Sequence, residues 1–342
     1  DGIRVGQYQQ IGGGFQTGTT VVWAPEGAVG SAYVGGGWPG TINTDGLQPG
    51  KRGQKLDAAF LTGGSYFGLA AFGGIMQWLE ENRYGLVVGT TPDQVDPLVA
   101  GAVVYDLARG GSYTSRPDAK FGYEAIKAAK TGPVAMGNVG AGTGTSSNGG
   151  LRLKGGVGTA SEVFDNITVG VILSVNAAGT PVDLNTCELR GTSLSLGGEF
   201  SAYAAPTSTA CAALKAARNI ASTPSESAPQ ASGGNPWEIH PNTTISIVAT
   251  NATLTVAQAQ TLAHALNDGL GTVIKPFNQT GDGDSVFSMA TGKVPVTDAQ
   301  FDKLLTVAKD TAGRAVAHAM LNATSVGTLQ SYCDALPASC KK

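Results

Sequence analysis

The stretch ASTPSESAPQASGGNPWEIHPN (221–242), followed directly by TTISIVAT (243–250), marks the sharpest change of character in the chain. The first segment is rich in Ser, Pro, Gly and Ala, has no apolar periodicity, and reads as a flexible loop. The second alternates, placing Ile245, Ile247 and Ala249 on one face, and reads as a strand. A loose segment therefore runs into a rigid one at Asn242–Thr243. Beyond it, Thr255 opens a helix through a capping box with Gln258, and Thr297 does the same with Gln300. A strand, Ser285 to Thr291, lies between those helices. Strand, helix, strand, helix points to an α/β layered fold.

The first half fits the same plan. Thr19 to Ala24 and Gly30 to Gly35 read as short strands, the first ended by Pro25. Over Gly63 to Asn82 the period changes, with Phe67, Ala71, Ile75 and Leu79 recurring at helical spacing. Val99 to Asp106 is a buried strand, Phe121 to Lys130 a short helix, and Thr168 to Val175 a strand that ends at Asn176.

With 342 residues and 42% apolar content, the chain can bury a substantial core, as one large domain or two interlocked halves. It contains no apolar run of 18 or more residues, which argues against a membrane span. A net charge of -3 without Lys/Arg clusters argues against nucleic acid and favours a small amide or peptide as partner. Fifty glycines, about twice the common share, imply many tight turns and close backbone approaches. Four cysteines fall into two couples, Cys187 with Cys211 and Cys333 with Cys340, none at metal or redox spacing. Pairing within each couple is favoured among three possible pairings. Sequons begin at Asn166, Asn242, Asn251, Asn278 and Asn322; with paired cysteines they point to an exported, secreted protein. Asp1 follows no signal peptide, so any leader has been removed.

Familiar catalytic arrangements do not fit. His264 and His318 fall in helices and His240 in the loop, and none is aimed as the base of a serine triad. GGSYFG (63–68) misses the nucleophile elbow, leaving Ser65 as a helix-start residue. GNVGAGTGT (137–145) resembles a phosphate loop in composition only, and Lys154 in LKGG lacks that context as well. Thr243 offers another solution. A threonine hydroxyl needs a base beside it, and cutting the preceding peptide bond frees an α-amine to be that base. Such an amine, with a reference pKa of about 7.7–8.0, is partly neutral near neutral pH. The same hydroxyl can begin the cut by attacking the Asn242 carbonyl, giving an ester that water resolves.

The chain resembles the L-aminopeptidase/D-esterase family, which includes the β-aminopeptidases and the nylon-oligomer endo-hydrolases. The resemblance is carried by LTGGSYFGLAAFGGIMQWLE (61–80), AVVYDL (102–107), GNVGAGTG with LKGGVGTAS (137–161) and VGVILSVNAAG (169–179). It is most pronounced in NTTISIVATN (242–251) with KPFNQTGDGDSVFSMAT (275–291), a pair closer to the nylon-oligomer branch. The family implies a four-layer αββα sandwich similar to N-terminal-nucleophile hydrolases. It also implies a cut into an α chain, 1–242, and a β chain, 243–342, within a homo-oligomer, commonly a tetramer. Carried over by resemblance, Thr243 is the nucleophile and Asn176 stabilises the oxyanion. Tyr105 lines the substrate site, Lys154 lies near the nucleophile, and Asp282 and Asp284 orient the amine and assist cleavage. No metal or organic cofactor is implied. Two features depart from the pattern: PGTINTDGL (39–47) lacks an arginine that many relatives carry, and a glycan on Asn242 would obstruct the cut.

The expected activity is hydrolysis of short linear amides, such as 6-aminohexanoate oligomers, by an acyl-enzyme route. One rival is an aminopeptidase releasing N-terminal L- or β-amino acids. A rival outside enzymes is an exported glycoprotein that keeps the fold as a binding module.

Overall fold

Pro25 sits inside a strand, and the way the chain accommodates it organises the molecule. The computed structural model describes residues 2–51, 55–219 and 242–340. Strand β1 (Arg4–Gly12) turns through Gly13 and Gly14, both at positive φ, into the 20-residue strand β2 (Phe15–Val34). The sequence reading ends a strand at Ala24 and begins another at Gly30; the structure joins them. Pro25 falls between Trp23 and Ala28, where the ladder register shifts, so its missing N–H costs no ladder bond. On either side of that shift β2 serves a different set of neighbours.

The remaining elements, in chain order, are β3 (Leu56–Thr62), α1 (Ala71–Glu81), β4 (Val99–Val103), α2 (Ala119–Lys127), β5 (Val157–Phe164), β6 (Ile167–Ser174), α3 (Ser208–Ala217), β7 (Ile245–Ala252), α4 (Val256–Val273), β8 (Ser285–Val294) and α5 (Asp298–Asn322). The first half of β2 pairs with β1 and β3, and β4 follows β3 in parallel, with Thr41–Ile42 on its far side. The second half of β2 pairs with β8, and the order continues β7, β6, β5. Only β3/β4 and β7/β8 are parallel among these neighbours, bridged by α1 and α4 respectively.

Adjacent residues on each central strand feed different cores, because side chains alternate across a strand. Val21, Phe60 and Val99 pack with Ile75, Leu79 and Ile126 beneath α1 and α2. Their neighbours Val22, Leu61 and Ala100 meet Ile172, Ile247 and Phe287 between the two sheets. On the far side Leu173, Val248 and Val286 pack with Leu262, Leu266, Val316 and Met320 of α4 and α5. The architecture is therefore a four-layer αββα sandwich. With both faces of the central strands covered, their sequences read as nearly continuous apolar runs. The sequence reading leaves β1, β3, β5 and α3 unassigned.

Helix starts follow the expected chemistry. Thr255 and Thr297 each form a full capping box, with Gln258 and Gln300. The segment read as one helix over 63–82 is a 3-10 turn, Ser65–Ala70, followed by α1. That tighter first turn leaves Phe67 exposed while Ala71, Ile75 and Leu79 stay buried on one face. Both local cysteine pairs are disulfides, Cys187–Cys211 and Cys333–Cys340. Of the sequon asparagines, Asn166 and Asn322 are exposed, whereas Asn242 and Asn251 are buried. The folded chain thus leaves no room for a glycan on Asn242.

Candidate active site

Strand register alone brings the site together. In the antiparallel β6/β7 ladder Ser174 faces Ile245, so two residues further out Asn176 comes level with Thr243. The Thr243 N–H donates to the Asn176 carbonyl at 2.7 Å. In the parallel β7/β8 ladder Ile245 lies beside Ser285, which carries Gly283 to Thr243 and pairs Asn242 with Asp282. Thr243 therefore sits at the mouth of β7 between segments from both sides, and is only 6% exposed.

The carbonyl oxygen of the Asn242–Thr243 peptide is held from two directions. The Thr243 hydroxyl donates to it at 2.5 Å, and the Gly283 N–H donates at 3.1 Å. Gly283 has to be glycine: a Cβ there would lie 2.9 Å from Thr243 Oγ1 and 2.7 Å from the Trp38 carbonyl oxygen. A nucleophile beside a carbonyl, and a fixed N–H on that carbonyl's oxygen, are what acyl transfer requires.

The two acids of GDGD are both buried, with different assignments. Asp284 accepts from the N–H of Thr244 at 2.6 Å and from that of Asn278 at 2.9 Å, tying β7 to the turn before β8. Asp282 accepts from the Gln279 N–H through Oδ2, and the Ala178 N–H also faces the carboxylate; its buried Oδ1 makes no close hydrogen bond among the described residues. Burial pushes the Asp282 carboxyl up to about 6. Burial, and then the charge of Asp282, push Asp284 well above the ordinary carboxylate range. Asp284 braces the strand that begins at Ile245, through Thr244, and Asp282 lies beside Asn242 in the β7/β8 register.

A third set of groups comes from the loops after β4 and before β5. The Asn176 side chain accepts at Oδ1 from Arg109 Nη1 (2.5 Å) and the Ser146 N–H (3.0 Å), and donates to the Tyr105 carbonyl. Asn176 thus meets Thr243 through its backbone carbonyl, and its carboxamide is engaged elsewhere. Tyr105 contributes that carbonyl and presents its ring to the Arg109 guanidinium at 5.4 Å. Lys154 is fully buried and donates to the carbonyls of Gly142 and Gly155, each at 2.8 Å, so its ammonium is not hydrogen-bonded to Thr243. Burial pushes Lys154 down to about 7. The glycines of GNVGAGTGT find their use here. A Cβ on Gly142 would meet the Val157 nitrogen at 2.1 Å, and the bare backbone lets its carbonyl reach Lys154.

A sequence profile described as peptidase family S58 matches residues 1–332. The chain belongs to peptidase family S58. Uncharacterized aminopeptidases of Mycobacterium tuberculosis and Mycobacterium leprae are 40% and 39% identical to it. Those alignments cover 99% of this chain, and 97% and 93% of the relatives. Among solved structures it is similar to a Burkholderia sp. β-aminopeptidase, with TM-score 0.68, 19% identity, and 100% and 93% of the two chains covered. It is likewise similar to the L-aminopeptidase D-Ala-esterase/amidase of Ochrobactrum anthropi, described as a variant of the Ntn hydrolase fold. There the TM-score is 0.69 at 19% identity, over 96% and 86% of the chains. The protein is accordingly a hydrolase of the peptidase class built on an N-terminal-nucleophile fold.

Within this S58 chain the structure gathers Thr243, Asn242, Asn176, Asp282 and Asp284 into one continuous set of contacts, adds Tyr105 through Asn176, and bonds Lys154 to the Gly142 and Gly155 carbonyls. Sequence reasoning missed Arg109, Asn148 and Gly283. Gly283 was legible as the residue between the two acids; Arg109 and Asn148 sit in loops with no local signal. A cavity of about 520 Å³ opens elsewhere, lined by Val5, Lys130, Ile172, Glu199, Arg314 and His318. Thr243 is not among its lining residues. His318 is bonded to Glu199 there, and His264 stacks on Tyr33, so neither serves Thr243. His240 lies outside the described residues.

Proposed function

We propose that this chain cuts itself between Asn242 and Thr243, and that Thr243 then acts as the N-terminal nucleophile of an amide hydrolase. One observation carries the reading: the Asn242 carbonyl oxygen lies between the Thr243 hydroxyl and the Gly283 N–H. In the cut, Oγ1 bonds to the Asn242 carbonyl carbon as the C–N bond breaks. The hydroxyl proton passes to the leaving nitrogen through a base, a role assigned here to the Asp282 carboxylate, which is paired in register with Asn242. Water then resolves the ester, leaving a carboxylate on Asn242 and a free amine on Thr243. In turnover that amine takes the hydroxyl proton and returns it to the departing amine of the substrate. Gly283 N–H holds the oxyanion in both reactions.

Short linear amides are the proposed substrates. The resemblance of NTTISIVATN and GDGDSVFSMAT to nylon-oligomer hydrolases supports internal cleavage of 6-aminohexanoate oligomers. A second reading, release of N-terminal residues, is supported by the mycobacterial relatives being named aminopeptidases. The mass of the purified, denatured protein tests the first step. Two chains are expected, the smaller beginning at Thr243, and Thr243→Ala should stay whole. An intact wild type that hydrolyses amides would defeat the N-terminal mechanism. Attack on an N-blocked oligomer, read by mass spectrometry, decides between the two substrate readings.

A further inference from the structure

The side chain of Asn242 is held as carefully as its carbonyl. Its Oδ1 accepts from Asn148 Nδ2 at 2.6 Å and from Arg109 Nη2 at 3.3 Å. Both donors are anchored. Asn148 donates its own N–H to the Ala177 carbonyl and accepts from the Ser146 hydroxyl at its Oδ1. Arg109 is fixed through Asn176 and lies over Tyr105. A two-donor cradle thus receives a carbonyl-type oxygen whose carbon is three bonds from the carbon under attack.

Resting on the Thr243 amide-hydrolase reading above, but narrowing its substrates away from 6-aminohexanoate oligomers, which carry no acceptor three bonds from the scissile carbonyl, we propose that this cradle is the acyl-side specificity subsite of the mature enzyme, with Arg109 and Asn148 as its selecting residues. The substrates it would take are amides whose acyl part carries a carboxamide or carboxylate three bonds from the scissile carbonyl. N-blocked asparaginyl and aspartyl amides and monoamides of succinic acid have that spacing. The reason is geometric. Self-cutting and turnover pass through the same ester on Thr243 Oγ1, with the same Gly283 N–H on the oxyanion. The substituents of the two acyl groups must therefore leave the carbonyl carbon in the same direction. In the uncut chain the group found there is a carboxamide in contact with two donors. An apolar acyl side chain would forfeit both of these hydrogen bonds, and a site built around such donors discriminates against ligands that lack the acceptor.

The test uses processed protein bearing Thr243 at its N-terminus, with N-acetyl-asparagine, N-acetyl-aspartate and N-acetyl-leucine p-nitroanilides. Asparagine and aspartate derivatives should exceed leucine in kcat/KM by about 10-fold or more, the worth of one or two good hydrogen bonds. Asn148→Ala, which does not touch the Asn176 side chain, should collapse that ratio toward unity. Arg109→Met should erase the aspartate preference in particular, even where the loss of its bond to Asn176 slows all three substrates. In the precursor, Asn242→Leu should slow self-cutting about 10-fold or more while Asn242→Asp continues to cut. Equal kcat/KM for the three substrates, or a ratio untouched by Asn148→Ala, would overturn the subsite while leaving the amidase reading intact. If correctly cut protein hydrolyses none of them nor any linear amide, the amidase reading fails and this one with it.

Discussion

Gly283 illustrates how much one residue without a side chain can decide. Its N–H holds the Asn242 carbonyl oxygen, and the space a methyl would need is taken by Thr243 Oγ1 and the Trp38 carbonyl. Gly283→Ala should therefore push this N–H off the carbonyl oxygen and slow self-cutting, by up to about 10²–10³-fold where the oxyanion donor is lost entirely. A time course of denaturing gels measures it, and cutting at the wild-type rate would remove Gly283 from the mechanism. Asp282 supplies a second test. Its carboxyl must be ionised to take a proton, and burial raises it to about 6, so self-cutting should accelerate as pH rises through about 6. Asp282→Asn should flatten that limb. The linkage to stability has the opposite sign. A folded-state value above the ordinary 3.8 gives a stabilising contribution that is complete below about 4 and lost as pH rises through about 6. The melting temperature of uncut Thr243→Ala should accordingly fall over that interval, and less steeply when Asp282→Asn is added. Parallel melting curves for the two proteins would contradict the assignment.

Among the elements, what could be read in advance was whatever is decided within a few residues. The capping boxes at Thr255 and Thr297 are local hydrogen-bond patterns, and both form. Replacing Thr297 by Ala should cost about 1 kcal/mol in urea unfolding, and a loss below the error of the measurement would mean the cap is replaced by solvent. The strand beginning near Thr243 was legible because an uninterrupted alternation follows a loop, and GDGD because a turn composition precedes another strand. The single long β2 was not legible, since whether Pro25 ends a strand depends on the partners at that point. Nor could Arg109 be found by pattern. Its role arises only when the loop after β4 is laid over the ends of β6 and β7, a relation between residues 67 and 133 positions apart. Lys154 is named by the family likeness alone; the structure buries it and gives its ammonium two carbonyl partners, Gly142 and Gly155, reached because the backbone around 137–145 is close-packed glycine. The family likeness names Asn176, Asp282 and Asp284, which the structure puts in contact with residues 242–244, and register, not composition, separates the partners of the two acids.

On the scale of the whole molecule, the proposed cut falls where it does least harm to the fold. Strands β7 and β8 lie in the interior of the second sheet, with β6 on one side and the second half of β2 on the other. Helices α4 and α5, also beyond residue 242, close the outer core against Leu173, Val169 and Val171 of β6. Residues 243–342 would therefore own the middle of a sheet whose flanks belong to 1–242. Neither piece could keep its core without the other: separation would expose the inner face of β7 and β8, which α4 and α5 do not cover, and leave unpaired the ladder groups that face β6 and β2, a cost above ordinary domain stability. The cut protein should consequently travel as one particle. In native size-exclusion chromatography the two chains should co-elute in equal amounts, and they should part only under denaturant. The disulfides do not force this result, because Cys187–Cys211 and Cys333–Cys340 each close within one side of the cut, so it should persist under reducing conditions. Recovery of a soluble, folded 243–342 fragment from native buffer would show that the second sheet does not depend on its flanks, and would undo the shared-core account.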